Sequence, residues 1–407
     1  MFATLLPEDA RRTDYDVIVV GASFAGLACA KTLANAGRRV LVLERKADAG
    51  EKLHTTGLLV KEAVESSAMP GGSSVLDGLP AGLTRRIEGV RLHAPNLSHI
   101  DLDTPGYYFL ATDTAGLLRW MAKRAVDAGV EIRWRTEFEH AGRLEKGFTL
   151  GRIGRTRFLV GADGPTSRVA QAFGLGTNRE FLFGIEHEYP HAPGNDRLHG
   201  GMDRLHCFID RKIAPGYLGW VFAGVGSAQV GIARRERGGA AREAKVALAL
   251  FLEKIAPVFD FRSATPASVR AGWIPCGGVV YPVHADRVLL VGDAAGTVSP
   301  LTAGGIHTAL RYGGMAGSAA ADWLRGRAAQ PAETLRGRYP RFALKRALRW
   351  AFDRFQSDPL TEWALKSDTA RAVVGRLYFH KRSAASEVRA APAPEPSKPR
   401  PEADRAG

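Results

Sequence analysis

The stretch "YDVIVVGASFAGLACAKTLANAGRRVLVLERK", residues 15–46, decides the fold. It opens with an apolar run, Val17–Val20, which is typical of a strand buried in a parallel sheet. Apolar residues at helical spacing follow and stop at Gly37, and Val40–Leu43 is a second apolar run. The pattern predicts a strand, a tight turn, a helix and a second strand, in that order.

The tight turn carries a glycine pattern that favours a nucleotide. Gly21 and Gly26 occupy the first and last positions of G-x-x-x-x-G, and Ser23 stands where a middle glycine is usual. Gly21 allows the turn, Gly26 allows close helix–strand packing, and free N–H groups at the helix start can bind a pyrophosphate. Glu44 ends the second run, where a carboxylate accepts hydrogen bonds from ribose hydroxyls; a turn that merely needs glycines does not explain it. The candidate dinucleotide-binding residues are Gly21, Ala22, Ser23, Ala25, Gly26, Glu44 and Arg45.

Two later stretches have the same strand-turn-helix character. In "VGADGPTSRV", residues 160–169, Asp163 and Gly164 form a turn at a strand end. In "VGDAAGTVSPLTAGGI", residues 291–306, a lone carboxylate, Asp293, precedes a glycine-rich loop and a helix that begins near Gly304. A buried carboxylate is costly without partners, and the free N–H groups of a helix start attract an electron-rich ligand. We therefore predict a ligand at this loop.

The rest of the chain indicates an α/β domain that is interrupted. The 407 residues suffice for two or three domains. A helix is predicted over Ala115–Ala128. Short alternating runs from about Phe183 to Val269 favour an antiparallel sheet. The apolar run Val288–Val291 then restores the parallel pattern.

Composition limits the classes of partner. The net charge of +14 suits an anionic partner such as nucleic acid, lipid headgroups or a phosphorylated cofactor. Because zinc-finger spacing and RNA-binding aromatic signatures are missing, we expect no nucleic acid. The three cysteines are far apart in the chain, so we expect reduced thiols and no metal site. With neither a signal peptide nor an apolar run of ~18–20 residues, we expect a cytoplasmic protein.

A basic region near the C-terminus leaves two interpretations open. In "RFALKRALRWAFDRF", residues 341–355, one helical face would carry Leu344, Leu348, Ala351 and Phe355, with Lys345, Arg346 and Arg349 elsewhere. The helix could dock its apolar face on the body and leave a solvated basic face. Alternatively, it could lie on a membrane surface near anionic lipid, at the inner face of the membrane.

The three motifs, in this order and at these separations, resemble the flavoprotein superfamily of p-hydroxybenzoate hydroxylase. Within it the chain is most similar to the geranylgeranyl reductase family, over about residues 14–320. The resemblance implies FAD, with Gly292 and Asp293 at the ribityl chain and Gly304, Gly305 and Ile306 against the flavin pyrimidine edge. Asp163 and Gly164 would lie near the flavin, where a nicotinamide donor approaches. Since no second dinucleotide motif is present, NAD(P)H would dock only transiently.

The resemblance also implies a fold class and a domain division. The fold class is α/β: a Rossmann-like FAD-binding domain of the GR2 type, a mostly antiparallel β substrate domain and C-terminal helices. The FAD-binding domain would comprise residues 1–85, 106–180 and 272–330, and the β domain residues 86–105 and 181–271. Residues 331–382 would form the basic helical region, and residues 383–407 a disordered tail.

The family's substrate motifs are matched in part. "APGYLGWVFAGVGSAQVGIARR" and "GWIPCGG" are similar to family stretches that place Trp220 and Phe222 in an apolar tunnel aimed at the flavin. The alternative is that both are ordinary core residues of a sheet. Strand alternation predicts that Leu218 shares their face and that Tyr217 lies on the other. His54 or Thr55/Thr56 fills a place where many family members have a cysteine-glycine run, and His54 is a candidate acid beside the flavin.

These resemblances imply an FAD-dependent oxidoreductase. The expected reaction is hydride transfer from reduced flavin to a C=C bond of an apolar, isoprenoid-like small molecule. One alternative is a monooxygenase that hydroxylates an aromatic or lipophilic substrate with NAD(P)H and O2. A second alternative is a basic FAD-containing binding protein without redox activity.

Overall fold

The predicted strand-helix-strand unit is confirmed. It comprises β1 (Tyr15–Val20), α1 (Phe24–Asn35) and β2 (Val40–Leu43). The structure is a computed structural model, and it describes residues 14–65, 75–190, 203–235 and 240–364. The predicted disordered tail 383–407 and the end of the basic region, 365–382, lie outside the described residues.

The remaining elements follow in chain order. The further strands are β3 (Leu58–Val60), β4 (Thr84–Ile87), β5 (Val90–His93), β6 (His99–Leu102), β7 (Phe109–Thr112), β8 (Glu131–Arg133), β9 (Gly142–Leu144), β10 (Gly147–Thr149), β11 (Arg155–Gly161), β12 (Phe181–Pro190), β13 (Leu205–Phe208), β14 (Gly219–Ala223), β15 (Ser227–Arg235), β16 (Ser268–Pro275), β17 (His284–Ala285) and β18 (Val288–Leu290). The further helices are α2 (Lys61–Glu65), α3 (Thr114–Asp127), α4 (Arg168–Ala172), α5 (Ala240–Ile255), α6 (Ile306–Leu324), α7 (Pro331–Thr334), α8 (Ala343–Phe355) and α9 (Asp358–Ala364).

The strands form three sheets. The first has a parallel core in the order β18-β11-β1-β2-β8, as the apolar runs predict. The second has seven strands in the order β16-β12-β15-β14-β13-β5-β6 and is antiparallel except for the β13–β5 pair. The third is the short sheet β3-β7-β4. The α/β arrangement interrupted by an antiparallel sheet is thus confirmed, although β16 runs past the predicted domain boundary at residue 271.

Glycines in α6 bring this helix against α1. A Cβ on Gly313 would lie 2.3 Å from the carbonyl oxygen of Ala25, and one on Gly317 would lie 2.7 Å from that of Cys29. Neither distance is possible for a real side chain, so the two backbones meet only because both residues are glycine. This contact fixes α6, and with it the glycine-rich loop before it, beside the start of α1.

The seven-stranded sheet has two different faces. One face packs against α5: Val221 and Val230 of the sheet and Phe251 of α5 belong to the same buried cluster. The other carries a separate group, here called the sheet-face cluster, which includes Leu182, Cys207, Trp220, Phe222 and Cys276. Ala303, in the loop of the third motif, packs against this second face.

Helix α8 corrects the docked-helix interpretation. Leu344 and Phe355 are 72% and 61% exposed, whereas Arg349 is only 2% exposed. Leu344 and Phe355 therefore do not dock on the body, and Arg349 is not solvated. Two polar contacts turn this side of α8 inward: Gln356 accepts from the N–H of Gly216, and Asp353 accepts from Arg235. No helix in the described ranges combines the length and apolarity needed to cross a bilayer.

Candidate functional site

The first motif builds the start of α1. Ser23 is the N-cap: its Oγ accepts from the N–H of Gly26 at 3.2 Å and donates to the carbonyl of Ala162 at 3.0 Å. Gly21 has a φ of 105°, and a Cβ on Gly26 would lie 2.0 Å from the Gly21 carbonyl oxygen. Both positions therefore need glycine. Ser23, in the place of the usual middle glycine, links the first motif to the second.

Glu44 lies at the end of β2, as predicted from its position. Its buried carboxylate accepts from the N–H of Ala22 at 2.8 Å and from the N–H of Lys46 at 3.0 Å. Two backbone donors fix the carboxylate but leave lone pairs for further donors. An open cleft of about 510 Å³ lies beside it, and its lining includes Arg45 and His54.

His54 belongs to the wall of this cleft. Its Nδ1 lies 2.7 Å from the carbonyl oxygen of Ala271, and a Cβ on Gly272 would lie 2.8 Å from the His54 Cβ. The side chain therefore contacts β16, which β12 and β15 separate from Trp220 on β14. The structure does not bring His54 together with Trp220 and Phe222. Its role as an acid beside the flavin stays a prediction.

The second motif uses its carboxylate within the protein. Asp163 accepts from the hydroxyl of Ser167 at 2.7 Å and from the N–H groups of Arg168 and Val169 at 2.7 and 3.1 Å. Burial raises the pKa of Asp163, against the effect of these hydrogen bonds. Gly164 has a φ of 87°, which favours glycine at the turn. Asp163 thus holds the start of α4, and its contact with flavin or nicotinamide stays a prediction.

The third motif leaves its carboxylate without a protein partner. Burial raises the pKa of Asp293 to about 6, and no group in the described part of the chain donates a hydrogen bond to its side chain. Gly292, with a φ of 61°, begins a short 3₁₀ turn, and a Cβ on Gly305 would lie 3.5 Å from Asp293 Oδ1. Gly305 caps α6 without a side-chain acceptor, so the N–H of Ile306 at the helix start receives no side-chain cap.

The three motifs meet in space. The side-chain amide of Asn178 donates to the carbonyls of Pro165 and Asp293, both at 2.9 Å, and joins the second motif to the third. A Cβ on Gly292 would lie 2.8 Å from the Cβ of Ala25, which joins the third motif to the first. The result is a continuous surface of glycine backbone, two helix N-termini and two carboxylates. It fits FAD, whose pyrophosphate needs N–H donors and whose ribose and ribityl hydroxyls need acceptors.

The sheet face beside these motifs holds a polar network that the sequence did not reveal. Trp220 Nε1 donates to Glu186 Oε2 at 2.8 Å. Gly231 lies between them in the register, and a Cβ there would lie 2.5 Å from the indole. Arg270, opposite Glu186, lies 3.5 Å from it and 2.9 Å from Glu188. Because Gly231 has no side chain, the indole of Trp220 lies over it and reaches Glu186.

Glu186 is the buried acid of this face. Burial raises its pKa to about 7, while the charge of Arg270 and the hydrogen bond from Trp220 act in the opposite direction. Gln229 is fully buried nearby, and neither polar atom of its amide has a hydrogen-bond partner within the described residues. The alternation of "FGIEHEY" could have revealed Glu186 and Glu188, which share their face with Leu182.

Trp220 and Phe222 lie together on this face, and Leu218 packs against the same sheet-face cluster, as predicted. The prediction that Tyr217 lies on the opposite face is wrong, because Tyr217 packs against that cluster too. Strand β14 begins only at Gly219, so strand alternation does not extend to Tyr217. The Tyr217 hydroxyl instead donates to the carbonyl of Thr302 at 2.6 Å, in the loop of the third motif.

Comparison with known proteins agrees with this geometry. The family model described as "FAD binding domain" matches residues 14–335. Digeranylgeranylglycerophospholipid reductase 2 of Methanopyrus kandleri is 31% identical over 76% of this chain and 77% of its own length. Digeranylgeranylglycerophospholipid reductase 1 of Methanothermobacter thermautotrophicus is 30% identical over 76% of this chain and 77% of its own length.

Solved structures share the fold. A geranylgeranyl bacteriochlorophyll reductase-like protein of Thermoplasma acidophilum has a TM-score of 0.74 at 19% identity and covers 90% of this chain and 97% of its own. A probable FAD-dependent monooxygenase of Pseudomonas aeruginosa has a TM-score of 0.64 at 20% identity and covers 88% of this chain and 99% of its own. With the three motifs assembled as described, the chain belongs to the FAD-binding oxidoreductases of the geranylgeranyl reductase family.

Proposed function

We propose that the protein reduces C=C bonds in the isoprenoid chain of a lipid. The observation that carries the proposal is the sheet-face cluster, a buried apolar group that includes Trp220 and Phe222 and against which Ala303, in the loop of the third motif, packs. The relatives named digeranylgeranylglycerophospholipid reductases support an isoprenoid chain as its occupant. Packing such a chain on this face would exclude water from the reacting carbons.

The chain's own residues would hold the cofactor by the groups already described. The N–H groups at the start of α1 would bind the pyrophosphate, Glu44 the adenosine ribose, and Asp293 the ribityl chain. The uncapped start of α6 would face the part of the flavin that gains negative charge on reduction. Bound FAD would supply the hydride chemistry, and the protein would orient the substrate and exclude water from it. We keep NAD(P)H as a transient reductant, because the described residues contain no second dinucleotide turn.

The reduction of a C=C bond needs a proton as well as a hydride. We assign this proton to Glu186 Oε1 rather than to His54, because Glu186 lies on the sheet face beside Trp220 whereas His54 lies at the cleft. Arg270 and the Trp220 indole fix the carboxyl, and Glu188 balances the charge of Arg270. A pKa of about 7 leaves a protonated fraction of Glu186 at neutral pH.

The proposed reaction can be tested with the purified protein loaded with FAD. Under anaerobic conditions, dithionite and a geranylgeranyl-chain lipid should give a product whose mass has increased by H2 for each reduced double bond. A product that gains an oxygen atom, formed only in air, would overturn the reductase and support the monooxygenase. FAD bound without any product in either condition would favour the non-enzymatic alternative.

We also propose that α8 touches a membrane surface. Its outward side carries Leu344, Trp350 and Phe355, which are 72%, 66% and 61% exposed to solvent. Arg341 and Arg354 are exposed beside them. Aromatic rings flanked by arginines suit the headgroup region of an anionic bilayer. Such contact would bring the sheet-face cluster to a lipid substrate.

Vesicle co-sedimentation tests this contact. The full chain should bind phosphatidylglycerol-containing vesicles, and the double variant Trp350→Ser with Phe355→Ser should lose most of the bound fraction. The matched control is Val246→Ser with Leu250→Ser, since these residues are 57% and 56% exposed on α5. Equal loss in both double variants would show that exposed apolar area in general, and not α8, determines binding.

A further inference from the structure

Helix α8 presents cations toward the protein body. Lys345 Nζ lies 3.4 Å from the hydroxyl of Ser299, in the loop of the third motif. Burial lowers the pKa of Lys345, and no carboxylate of the described residues pairs with it. One turn further along, Arg349 is 2% exposed; its Nη2 lies 3.0 Å from Asp353 Oδ1, and its Nη1 has no hydrogen-bond partner among the described residues. A buried cation without full pairing is costly.

The carboxylates near these cations are already shared. Asp353 accepts from Arg349 Nε at 3.2 Å and from Arg235 Nη2 at 2.7 Å. Arg235 also pairs with Glu180 at 2.9 Å. Three cations, with Lys345 counted, therefore face two carboxylates. The excess positive charge therefore lies on the side of α8 that faces the body.

This positive region adjoins the sheet-face cluster. The charge of Arg349 lowers the pKa values of Tyr217 and Cys276, against the larger effect of burial, so Arg349 lies near both. Both residues pack in or against the sheet-face cluster. An anionic head at α8 would thus lie beside the buried apolar cluster that includes Trp220.

We propose that Lys345 and Arg349 bind the phosphate or diphosphate head of a prenyl substrate whose chain lies on the sheet-face cluster. The proposal rests on the proposed function for the prenyl chain, but not for the anion. Two cations on one helix side, with Ser299 as a further donor, supply the charge-assisted hydrogen bonds that a phosphate accepts. The head would be held at α8 while the outward side of the same helix meets the membrane.

Binding to the oxidised, FAD-loaded protein tests this without turnover. Geranyl diphosphate and geraniol would be titrated while the flavin absorbance is followed. We expect the diphosphate to bind about 10-fold to 100-fold more tightly than the alcohol, as one or two charge-assisted hydrogen bonds imply. Lys345→Gln should remove about 10-fold of this ratio, and Arg349→Lys should lower it while keeping the charge.

Arg346→Gln is the matched control, because Arg346 is an exposed cation on the same helix. Equal binding of alcohol and diphosphate would overturn the proposal, as would an equal loss in Arg346→Gln and Lys345→Gln. If adenosine 2′,5′-bisphosphate loses affinity in Lys345→Gln while geranyl diphosphate does not, the anion is a nicotinamide dinucleotide and the substrate assignment is wrong. Because no redox step occurs, a failed reductase assay leaves this result intact.

Discussion

The FAD-binding motifs and the sheet face are built in opposite ways. The motifs use backbone: each places glycines, a helix start and a carboxylate in one continuous stretch, such as residues 21–44 or 292–306. The sheet face uses side chains from separate strands, such as Arg270, Glu186 and Trp220, which only the register places in one row. Local sequence therefore specifies the first region, and long-range pairing specifies the second. Changes to each region should have different consequences.

The largest effect is expected from Gly26→Ala in the first motif. The new Cβ would lie 2.0 Å from the Gly21 carbonyl oxygen, which is backbone and cannot move aside. We expect a loss of about 3 kcal/mol or more in the free energy of unfolding and no bound FAD. Urea denaturation and the flavin spectrum of the purified protein measure both.

Gly82→Ala is the matched control, since a Cβ there meets no heavy atom within 4 Å. The control should unfold like the wild type. A Gly26→Ala protein that keeps both FAD and stability would show that the turn is not rigid. It would contradict the statement that the FAD-binding motifs depend on backbone geometry and the sheet face on side chains.

The second effect concerns the pH dependence of the sheet face. The pKa of the Glu186 carboxyl is raised from 4.5 to about 7. Its contribution to the free energy of unfolding is therefore present in full below pH 4.5 and is lost as the pH rises through about 7. Glu186→Gln removes this titration while Arg270 keeps its pair with Glu188. The variant should gain stability relative to wild type between pH 5 and pH 8, by up to about 3 kcal/mol.

Thermal unfolding at a series of pH values measures this difference, and infrared spectra at pH 6 should lose one protonated-carboxyl band. Glu243→Gln, at an exposed position on α5, serves as the control. If the thermal stability of Glu186→Gln and of wild type changed with pH in parallel, Glu186 would be ionised throughout. It could then not be the proton donor.

The contrast also explains what the sequence could and could not predict. Val17–Val20, Val40–Leu43 and the glycines between them have local physical reasons, so the strand-helix-strand unit was predictable, as was FAD as the cofactor. The contact of Glu186 with Trp220 was not predictable, because it depends on Gly231 in another strand. Tyr217 was misplaced because alternation was extended beyond the start of β14. The orientation of α8 was missed because its polar contacts with Gly216 and Arg235 on the body are not part of the pattern of apolar spacing.

A third, smaller effect separates binding from stability within the third motif. Asp293→Asn keeps the shape but removes a carboxylate to which the described residues donate no hydrogen bond. Because its pKa is raised to about 6, the apoprotein should be no less stable than wild type above pH 6. FAD affinity should fall about 10-fold to 100-fold, since a charge-assisted hydrogen bond is lost.

Calorimetry of the apoprotein and FAD titration provide the two readouts, with Asp322→Asn, at a half-buried position on α6, as the control. Destabilised apoprotein with unchanged FAD affinity would make Asp293 a structural residue. That result would also remove the reason for predicting a ligand at this loop.

The smallest effect is expected from Asp163→Asn in the second motif. The Asp163 carboxylate accepts three hydrogen bonds at the start of α4, and an amide keeps only part of them, so we expect a loss of about 1 kcal/mol in stability. FAD affinity should stay near that of wild type, because the carboxylate is already occupied by the protein. If FAD affinity instead falls as far as in Asp293→Asn, Asp163 contacts the cofactor directly. The second motif would then bind through a side chain, and the difference between the two regions would be one of degree.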